Sequence, residues 1–500
     1  MSRGDSVHLS WPRRGEHVLR DEATGRLSFT WADLPYYRLV EGRAFGSEEG
    51  LSFDPARSNL LVKGENLFAL LGLLPHFKAK VDLVYVDPPF NTGSGFPVYF
   101  DNFDHDAYLS MMEVRLSLAA ELLRPGGILA VHTDREEQPY IRVLLDELLG
   151  RKHLVAQISW QRSPDRTLLG QGSSLINDCV EYIAVYSNGP ARDDLPVPVK
   201  EEPLSVKTLG SYARVLEFSE ERTLLEEFSG SGSQSRDSSG ASRIGGSAGG
   251  SHRGGSAEGS SVRIFSHAHY SFKPIGAENV RKAASGSWRR FALVFPKMAR
   301  LTNQQLESTF QQALLRRMPE RNVLYSADYV QARGKYKGPR TRYYLNGQVV
   351  LFLRDVARLE EDGTAVRVAD MNNFWSDDEV SSTGIAAEGG VVLKRGKKPE
   401  HLLSRIIGAF SKRDELVLDF FAGSGTTGAV AHKMGRRWIM ADASEEAVSM
   451  TAQRMARVLG GEDRSGVTSA TGWKGGGGFR LWTVQINKRQ GPLPLPMEPT

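Results

Sequence analysis

The chain has 500 residues, 40% of them hydrophobic, enough for a sizeable core and for about two to four domains. One cysteine, Cys179, excludes an intrachain disulfide and a thiolate cluster for zinc, and no metal site is expected. The net charge of +4 is too mild to announce a polyanionic partner by itself, and no apolar run approaches the ~20 residues of a membrane helix, so no membrane partner is expected.

Residues 1–58 read as an irregular, partly basic N-terminal arm anchored by Trp31, Tyr36 and Tyr37. Met1 to Arg20 lacks the apolar stretch of a signal peptide, and the single cysteine fits an intracellular setting. Residues 59–198 alternate apolar runs with helical patterns, the grammar of an α/β fold. Val81 to Val86 is a short buried strand, Tyr108 to Leu123 an amphipathic helix, Pro125-Gly126-Gly127 a turn and Ile128 to His132 the next strand. Further strands are expected over Leu154–Trp160 and Val180–Tyr186.

Residues 199–261 read as a linker whose Gly/Ser-rich part, 229–260, holds too little apolar surface to offset its ordering entropy and is expected to be disordered. Residues 262–385 read as a separate basic domain. Within 262–350, sixteen Lys/Arg face four Asp/Glu, a formal +12, with Phe265, Tyr270, Phe272, Trp288, Phe291, Tyr329, Tyr336, Tyr343 and Tyr344 interleaved. Positive charge mixed with stacking groups suits a polynucleotide surface, although a solvated basic face gives the same composition. Arg333, Lys335, Lys337, Arg340 and Arg342 are the candidate base-edge and phosphate contacts. Residues 386–459 return to α/β grammar, with a helix from Pro399 to about Phe410, a strand over Leu416–Phe420, a helix over Thr426–Met434, a strand over Trp438–Ala441 and a helix over Glu445–Leu459. Residues 460–500 read as a flexible tail, with a short strand near Leu481–Val484.

Two segments carry the chemistry. Asp419-Phe420-Phe421-Ala422-Gly423-Ser424-Gly425-Thr426-Thr427 joins a strand to a helix. Its glycines permit a sharp turn and close approach of a ligand, and the helix start offers free N–H groups to a carboxylate. The turn suits the methionine end of S-adenosylmethionine, with Asp419 accepting from the ammonium. Asp442, 23 residues on and after the next strand, is placed to take both ribose hydroxyls. The segment lacks Gly-Lys-Ser/Thr, which weakens a phosphate-loop reading; a nicotinamide or flavin site stays open on this stretch alone.

Asp87-Pro88-Pro89-Phe90 follows a buried strand, at the end where open α/β sheets bind ligands. The prolines fix φ twice and remove two N–H donors. The Asp87 carboxylate and the Pro88 carbonyl can then accept both hydrogens of an exocyclic amine and free its lone pair to attack a methyl carbon. Phe90 can stack on the base. A proline-rich turn of no function is the competing reading for Pro88-Pro89 alone. A base entering such a pocket has to leave the duplex.

Together these segments resemble the β class of DNA amino-methyltransferases, including the modification subunits of type III restriction systems. The resemblance extends to Asn59–Leu67, where Glu65 and Asn66 stand in the segment that closes over the donor adenine, and to Lys398-Pro399-Glu400, where Lys398 stands in the helix start that helps hold the methionine end. It covers about 59–190 and 390–459. It implies a Rossmann-like, sequence-permuted sheet with an inserted target-recognition domain; 59–198 is then the catalytic half and 386–459 the donor-binding half. The implied cofactor is S-adenosyl-L-methionine, bound by Glu65, Asn66, Lys398, Asp419, Phe421, Ala422, Gly423, Ser424, Gly425, Thr426, Thr427 and Asp442. Asp87, Pro88, Pro89 and Phe90 are the implied catalytic residues. N6 of adenine is the favoured target and N4 of cytosine the alternative; an RNA amino-methyltransferase and a catalytically inactive DNA-binding protein are further alternatives. Double-stranded DNA, a second copy of the chain and a separate restriction subunit are the implied partners, in a prokaryotic cytoplasm.

Overall fold

The structure is a computed structural model and describes residues 8–20, 27–30, 36–91, 102–162, 178–191, 195, 199–229, 261–288, 290–303, 308–331, 338–382, 384–392 and 396–487. The Gly/Ser-rich segment expected to be disordered lies outside these residues from 230 to 260. The chain divides into two compact units, Met1–Pro198 with Asn372–Thr500, and Val199–Met371.

The first unit is built on a ten-stranded sheet: β1 Tyr36–Gly46, β2 Leu60–Lys63, β3 Val81–Val86, β4 Leu123–Thr133, β5 Leu154–Gln161, β6 Val180–Ser187, β7 Phe374–Trp375, β8 Leu416–Asp419, β9 Arg437–Asp442 and β10 Gly478–Asn487. Their order in the sheet is β7-β5-β6-β4-β3-β8-β9-β2-β10-β1. The six strands from β4 to β10 are mutually parallel. Strand β6 runs antiparallel to both β4 and β5, and β1 runs antiparallel to β10. Parallel strands covered on both faces read as near-continuous apolar runs; β3 is buried at all six residues, and its one charge, Asp82, accepts from the Leu416 N–H and pairs with Arg124. The helices are α1 Asn66–Phe77, α2 His105–Leu122, α3 Gln138–Leu145, α4 Glu400–Phe410, α5 Thr426–Lys433 and α6 Glu445–Gly460. Leu70, Leu73 and Phe77 of α1 and Met112, Leu116 and Ala119 of α2 join β-strand residues in one core. This is the permuted Rossmann-like arrangement: β3 and β8, more than 300 residues apart in sequence, are neighbours.

Four expectations change. Pro125–Gly127 is not a turn but lies inside β4; the pairing shifts between Val81 and Leu83, and Gly126 absorbs the irregularity at φ +72°. The arm expected to be irregular contains β1, an eleven-residue edge strand whose pairing partner, β10, comes from the other end of the chain. The tail expected to be flexible is ordered to Asn487: β10 pairs with β2 and β1, Arg480 is buried on Glu48 at 2.9 Å, and Phe45 stacks on Phe479 at 4.4 Å. The start of the expected linker is structured too, with strands Val199–Pro203, Arg214–Phe218 and Arg222–Ser229 and a helix Val206–Ser211.

The second unit carries an eight-stranded sheet in the order Arg222–Ser229, Ser261–His267, Leu324–Gln331, Gly338–Leu345, Gln348–Phe352, Met298–Thr302, Arg214–Phe218, Tyr270–Pro274, antiparallel throughout. A three-stranded antiparallel sheet joins Ala357–Leu359, Ala365–Asp370 and Val199–Pro203. Among the described residues no helix is long and apolar enough to cross a membrane.

Candidate active site

Parallel strands end at one edge of their sheet, and that edge collects the residues singled out in the sequence. Strand β3 ends into Asp87, β8 ends at Asp419, β9 ends at Asp442 and β2 ends into Gly64 and Glu65. The register sets Asp442 beside Lys63.

The turn after β8 is built by its own carboxylates. Asp419 accepts from the Phe421 N–H at 2.9 Å and from the Thr427 hydroxyl at 2.6 Å. Burial pushes its carboxyl up to about 7, and the neighbouring Asp87 and Asp442 charges add to the rise against those two hydrogen bonds. Asp442 accepts from the Gly423 N–H at 2.8 Å and from the Ser444 N–H at 3.0 Å. Gly423 and Gly425 have φ of +53° and +74°, and a Cβ on Gly425 would lie 2.8 Å from Thr451 Cγ2. Gly425 therefore requires glycine, and the positive φ of Gly423 favours it.

The first acidic loop is pinned at both ends. After Phe90, Asn91 adopts φ +56°; its amide donates to Glu137 at 3.1 Å and its side-chain oxygen accepts from the Phe103 N–H at 2.6 Å. Asp87 faces a group of charges that the sequence pattern does not assemble. Lys398 Nζ lies 3.1 Å from Asp87 Oδ1 and 3.1 Å from Glu181 Oε2. His132 Nε2 is 2.9 Å from Glu181 Oε2, its Nδ1 is 2.9 Å from the Tyr85 hydroxyl, and Arg162 reaches Glu181 Oε1 at 3.3 Å. Burial raises the Asp87 carboxyl, opposed by Lys398 and His132. Burial also works against the Glu181 charge, but Lys398, His132 and Arg162 outweigh it and hold the group far below the usual carboxylate range. Lys398 stays above its ordinary value because Asp87 and Glu181 outweigh its own burial. Glu181 reaches this edge because β6 runs backwards and so begins where its neighbours end; His132 pairs with Ile183 and Thr133 with Tyr182. The signals in the sequence were a lone His closing the apolar run of β4 and a lone Glu opening that of β6.

Glu65 caps α1 by accepting from the Leu67 N–H at 2.8 Å, and its other oxygen pairs with Arg115. Asn66 Nδ2 donates to the Phe420 carbonyl at 3.2 Å, tying this segment to the β8 turn, while its Oδ1 accepts from Arg115. Arg115 is 2% exposed and was overlooked, because the pattern of α2 left it looking like a solvent-facing charge. Lys398 is brought together with the Asp87 loop, on the face of Phe90 at 4.5 Å from the ring centre.

In the second unit, Arg333, Lys335 and Lys337 lie outside the described residues. Arg340 and Arg342 lie two apart on one strand and so share a face. The interleaved aromatics divide. Phe265, Phe291, Tyr329 and Tyr344 are buried, and Tyr336 is outside the described residues. Arg222 covers Phe265 at 3.9 Å and Arg214 approaches Phe272 at 5.2 Å, so part of the basic and aromatic content is spent within the domain.

The family model described as DNA methylase matches residues 81–240 and 272–453, more than half of the chain and both halves of this site. The chain belongs to the DNA methylase family. A Haemophilus influenzae protein described as a probable type III restriction-modification enzyme HindVI Mod subunit is 29% identical over 438 residues, covering 84% of this chain and 53% of that protein. The EcoPI Mod subunit of Escherichia phage P1 is 24% identical over 419 residues, covering 75% and 55%. The chain thus spans about half the length of these curated relatives. A solved PvuII DNA methyltransferase, cytosine-N4-specific, is 13% identical and covers 80% of this methylase-family chain and 86% of its own, with a TM-score of 0.36.

Proposed function

We propose that the chain is an S-adenosylmethionine-dependent DNA methyltransferase acting on the exocyclic amine of a flipped base, with N6 of adenine the favoured target. The carrying observation is the pairing of β3 with β8 in parallel, Leu83 beside Val417 and Val84 beside Leu418, which sets the Asp87 loop next to the glycine turn. The residues of the turn fit the donor: two glycines at positive φ allow close approach, the start of α5 offers N–H groups, and two buried carboxylates suit an ammonium and a ribose. Glu65, Asn66, Asp419, Phe421 to Thr427 and Asp442 are the proposed donor-side residues.

When bound, the donor supplies an electrophilic methyl carbon. Asp87 accepts a hydrogen of the amine and draws its nitrogen toward tetrahedral geometry. On methyl transfer to the nitrogen, Asp87 would take the amine proton that the nitrogen loses and pass it to solvent. Phe90 holds the base flat, and the Pro88 carbonyl is the second acceptor.

The names of the Mod-subunit relatives support double-stranded DNA as substrate and a separate restriction subunit as partner. A homodimer and a prokaryotic cytoplasmic location belong to the same proposal. The test is to incubate the protein with unmethylated DNA and S-adenosylmethionine, digest to nucleosides and measure masses. N6-methyladenine is expected. N4-methylcytosine would keep the mechanism and reverse the base, and neither product with donor bound would overturn DNA as the substrate of the chain alone.

A further inference from the structure

The resemblance gives Lys398 to the methionine end of the donor, yet its ammonium is already paired with the Asp87 loop. It bridges Asp87 Oδ1 and Glu181 Oε2, each at 3.1 Å, and lies over the Phe90 ring at 4.5 Å. Its side chain is 10% exposed and that of Glu181 is 6% exposed, so this is a desolvated ion cluster rather than a surface contact. Two buried carboxylates close together both stay ionised only with a cation between them; otherwise one takes up a proton. Glu181 is itself held by His132, at 2.9 Å on the same Oε2, and by Arg162, at 3.3 Å on Oε1, which fixes where the Lys398 ammonium can rest.

We infer that Lys398, anchored by Glu181, is a positioning residue for Asp87 rather than a ligand of the donor: it holds Oδ1, turns Oδ2 toward the target amine, and covers one face of Phe90 so that the base stacks on the other. This rests on the methyl-transfer reading. The geometry supplies the reason at each point. The contacts of Lys398, at 3.1 Å, and of the nearby His132, at 4.0 Å, are both made to Oδ1. A carboxylate that accepts from an amine has to be ionised, and burial alone works against that state. A donor ligand at Lys398 would compete with this pairing for the same ammonium. Glu181 then acts through Lys398, whose attraction for Asp87 exceeds the direct repulsion from Glu181, and β6 is the strand whose reversal makes the device available.

The test uses the full chain with Lys398→Met and Lys398→Arg, aspartate labelled with 13C at the carboxyl, and Asp87→Asn to assign the Asp87 signal. The charged or titratable groups around that carboxyl are Lys398, Glu181, His132, Tyr85 and Asp419. In Lys398→Met the Asp87 midpoint is expected to rise by about one unit or more, and Lys398→Arg to return most of it. Donor affinity by calorimetry is expected to stay within about twofold, while single-turnover transfer at saturating donor falls at least about tenfold and is rescued in part by arginine. An unmoved Asp87 midpoint with donor affinity down tenfold would make Lys398 a donor ligand and overturn the inference alone. A wild type that binds no donor would overturn the methyl-transfer reading, and the role of Lys398 with it.

Discussion

Arg454 of α6 donates to the Ser424 carbonyl at 3.2 Å and to the Thr426 hydroxyl at 2.8 Å, so a residue far outside the glycine turn holds the turn's shape. Behind it lies a buried charge network. Glu400 accepts from Arg454 at 2.8 Å and from Lys433 at 2.8 and 2.9 Å, and Lys433 reaches Asp463 at 2.6 Å. Glu400, Lys433 and Arg454 have no exposed surface in their side chains. Such a network contributes little net stability while intact, but losing one member strands the others.

Arg454→Met is therefore expected to cost about 3–5 kcal/mol of stability, seen as a fall in Tm, because it leaves Glu400 undercompensated. Arg454→Lys keeps the charge, but one nitrogen cannot replace both Nη1, which holds Ser424 and Thr426, and Nη2, which holds Glu400. It is expected to cost less stability yet weaken donor binding by about tenfold, the worth of a charged hydrogen bond. Calorimetry with S-adenosylmethionine on the folded Arg454→Lys variant separates the two effects. Unchanged affinity would mean that the turn keeps its shape without Arg454.

Asp87→Ala and Phe90→Ala are expected to bind donor as the wild type does and to lose most turnover. General acid–base groups contribute about 10²–10⁴-fold, and Asp87→Ala should fall in that range. Phe90→Ala removes the stacking face and should raise the DNA concentration needed for half-maximal rate as well as lower the rate. The measurement is single-turnover transfer alongside donor calorimetry. Full turnover in Asp87→Ala would sink the mechanism given to it.

Both loops were legible in the sequence because their geometry is local: two prolines fix φ after a strand, and glycines mark where a chain turns at positive φ. What escaped was what the sheet brings together. Glu181 stands at the start of an apolar run and resembles a solvent-facing strand end; only the reversal of β6 sets it beside Lys398 and His132. Arg115 and Arg454 escaped for a related reason, since a charge in a helix reads as exposed until its buried partners are known. Tyr329 and Tyr344 mark the limit of composition: interleaved with arginines they suggested a stacking surface, yet their rings are 7% and 1% exposed and belong to the domain's own core.

Asp419 gives a pH prediction whose sign is fixed by burial. Its carboxyl is raised from the ordinary 3.8 to about 7. Between those values the folded state holds a proton that the unfolded state has lost, so this group's contribution to stability declines as pH rises from about 4 to 7 and is flat above. Asp419→Asn should remove that decline. If Asp419 accepts from the donor ammonium, binding requires the ionised form, and donor affinity should rise between about pH 6 and 8 before levelling. Calorimetric titrations across that range check it, and a pH-independent affinity in the wild type would deny Asp419 that contact.

Arg340 and Arg342 carry the nucleic-acid prediction that lies within the described residues. They share one face of the strand Gly338–Leu345, with Arg340 paired across to Tyr329 and Arg342 to Ala327. A protein that neutralises phosphates loses affinity with salt, by about 0.9 in log–log slope for each phosphate contact. If both side chains meet phosphates, Arg340→Ala with Arg342→Ala should weaken binding across DNA sequences alike and flatten the slope by about two. If one reads a base edge instead, its variant should lose about 1–3 kcal/mol on the preferred site and little elsewhere. Binding isotherms at several salt concentrations, on cognate and random duplexes, distinguish these outcomes. A slope unchanged by both substitutions would assign the two arginines to the domain's own electrostatics, where they already act on Tyr329.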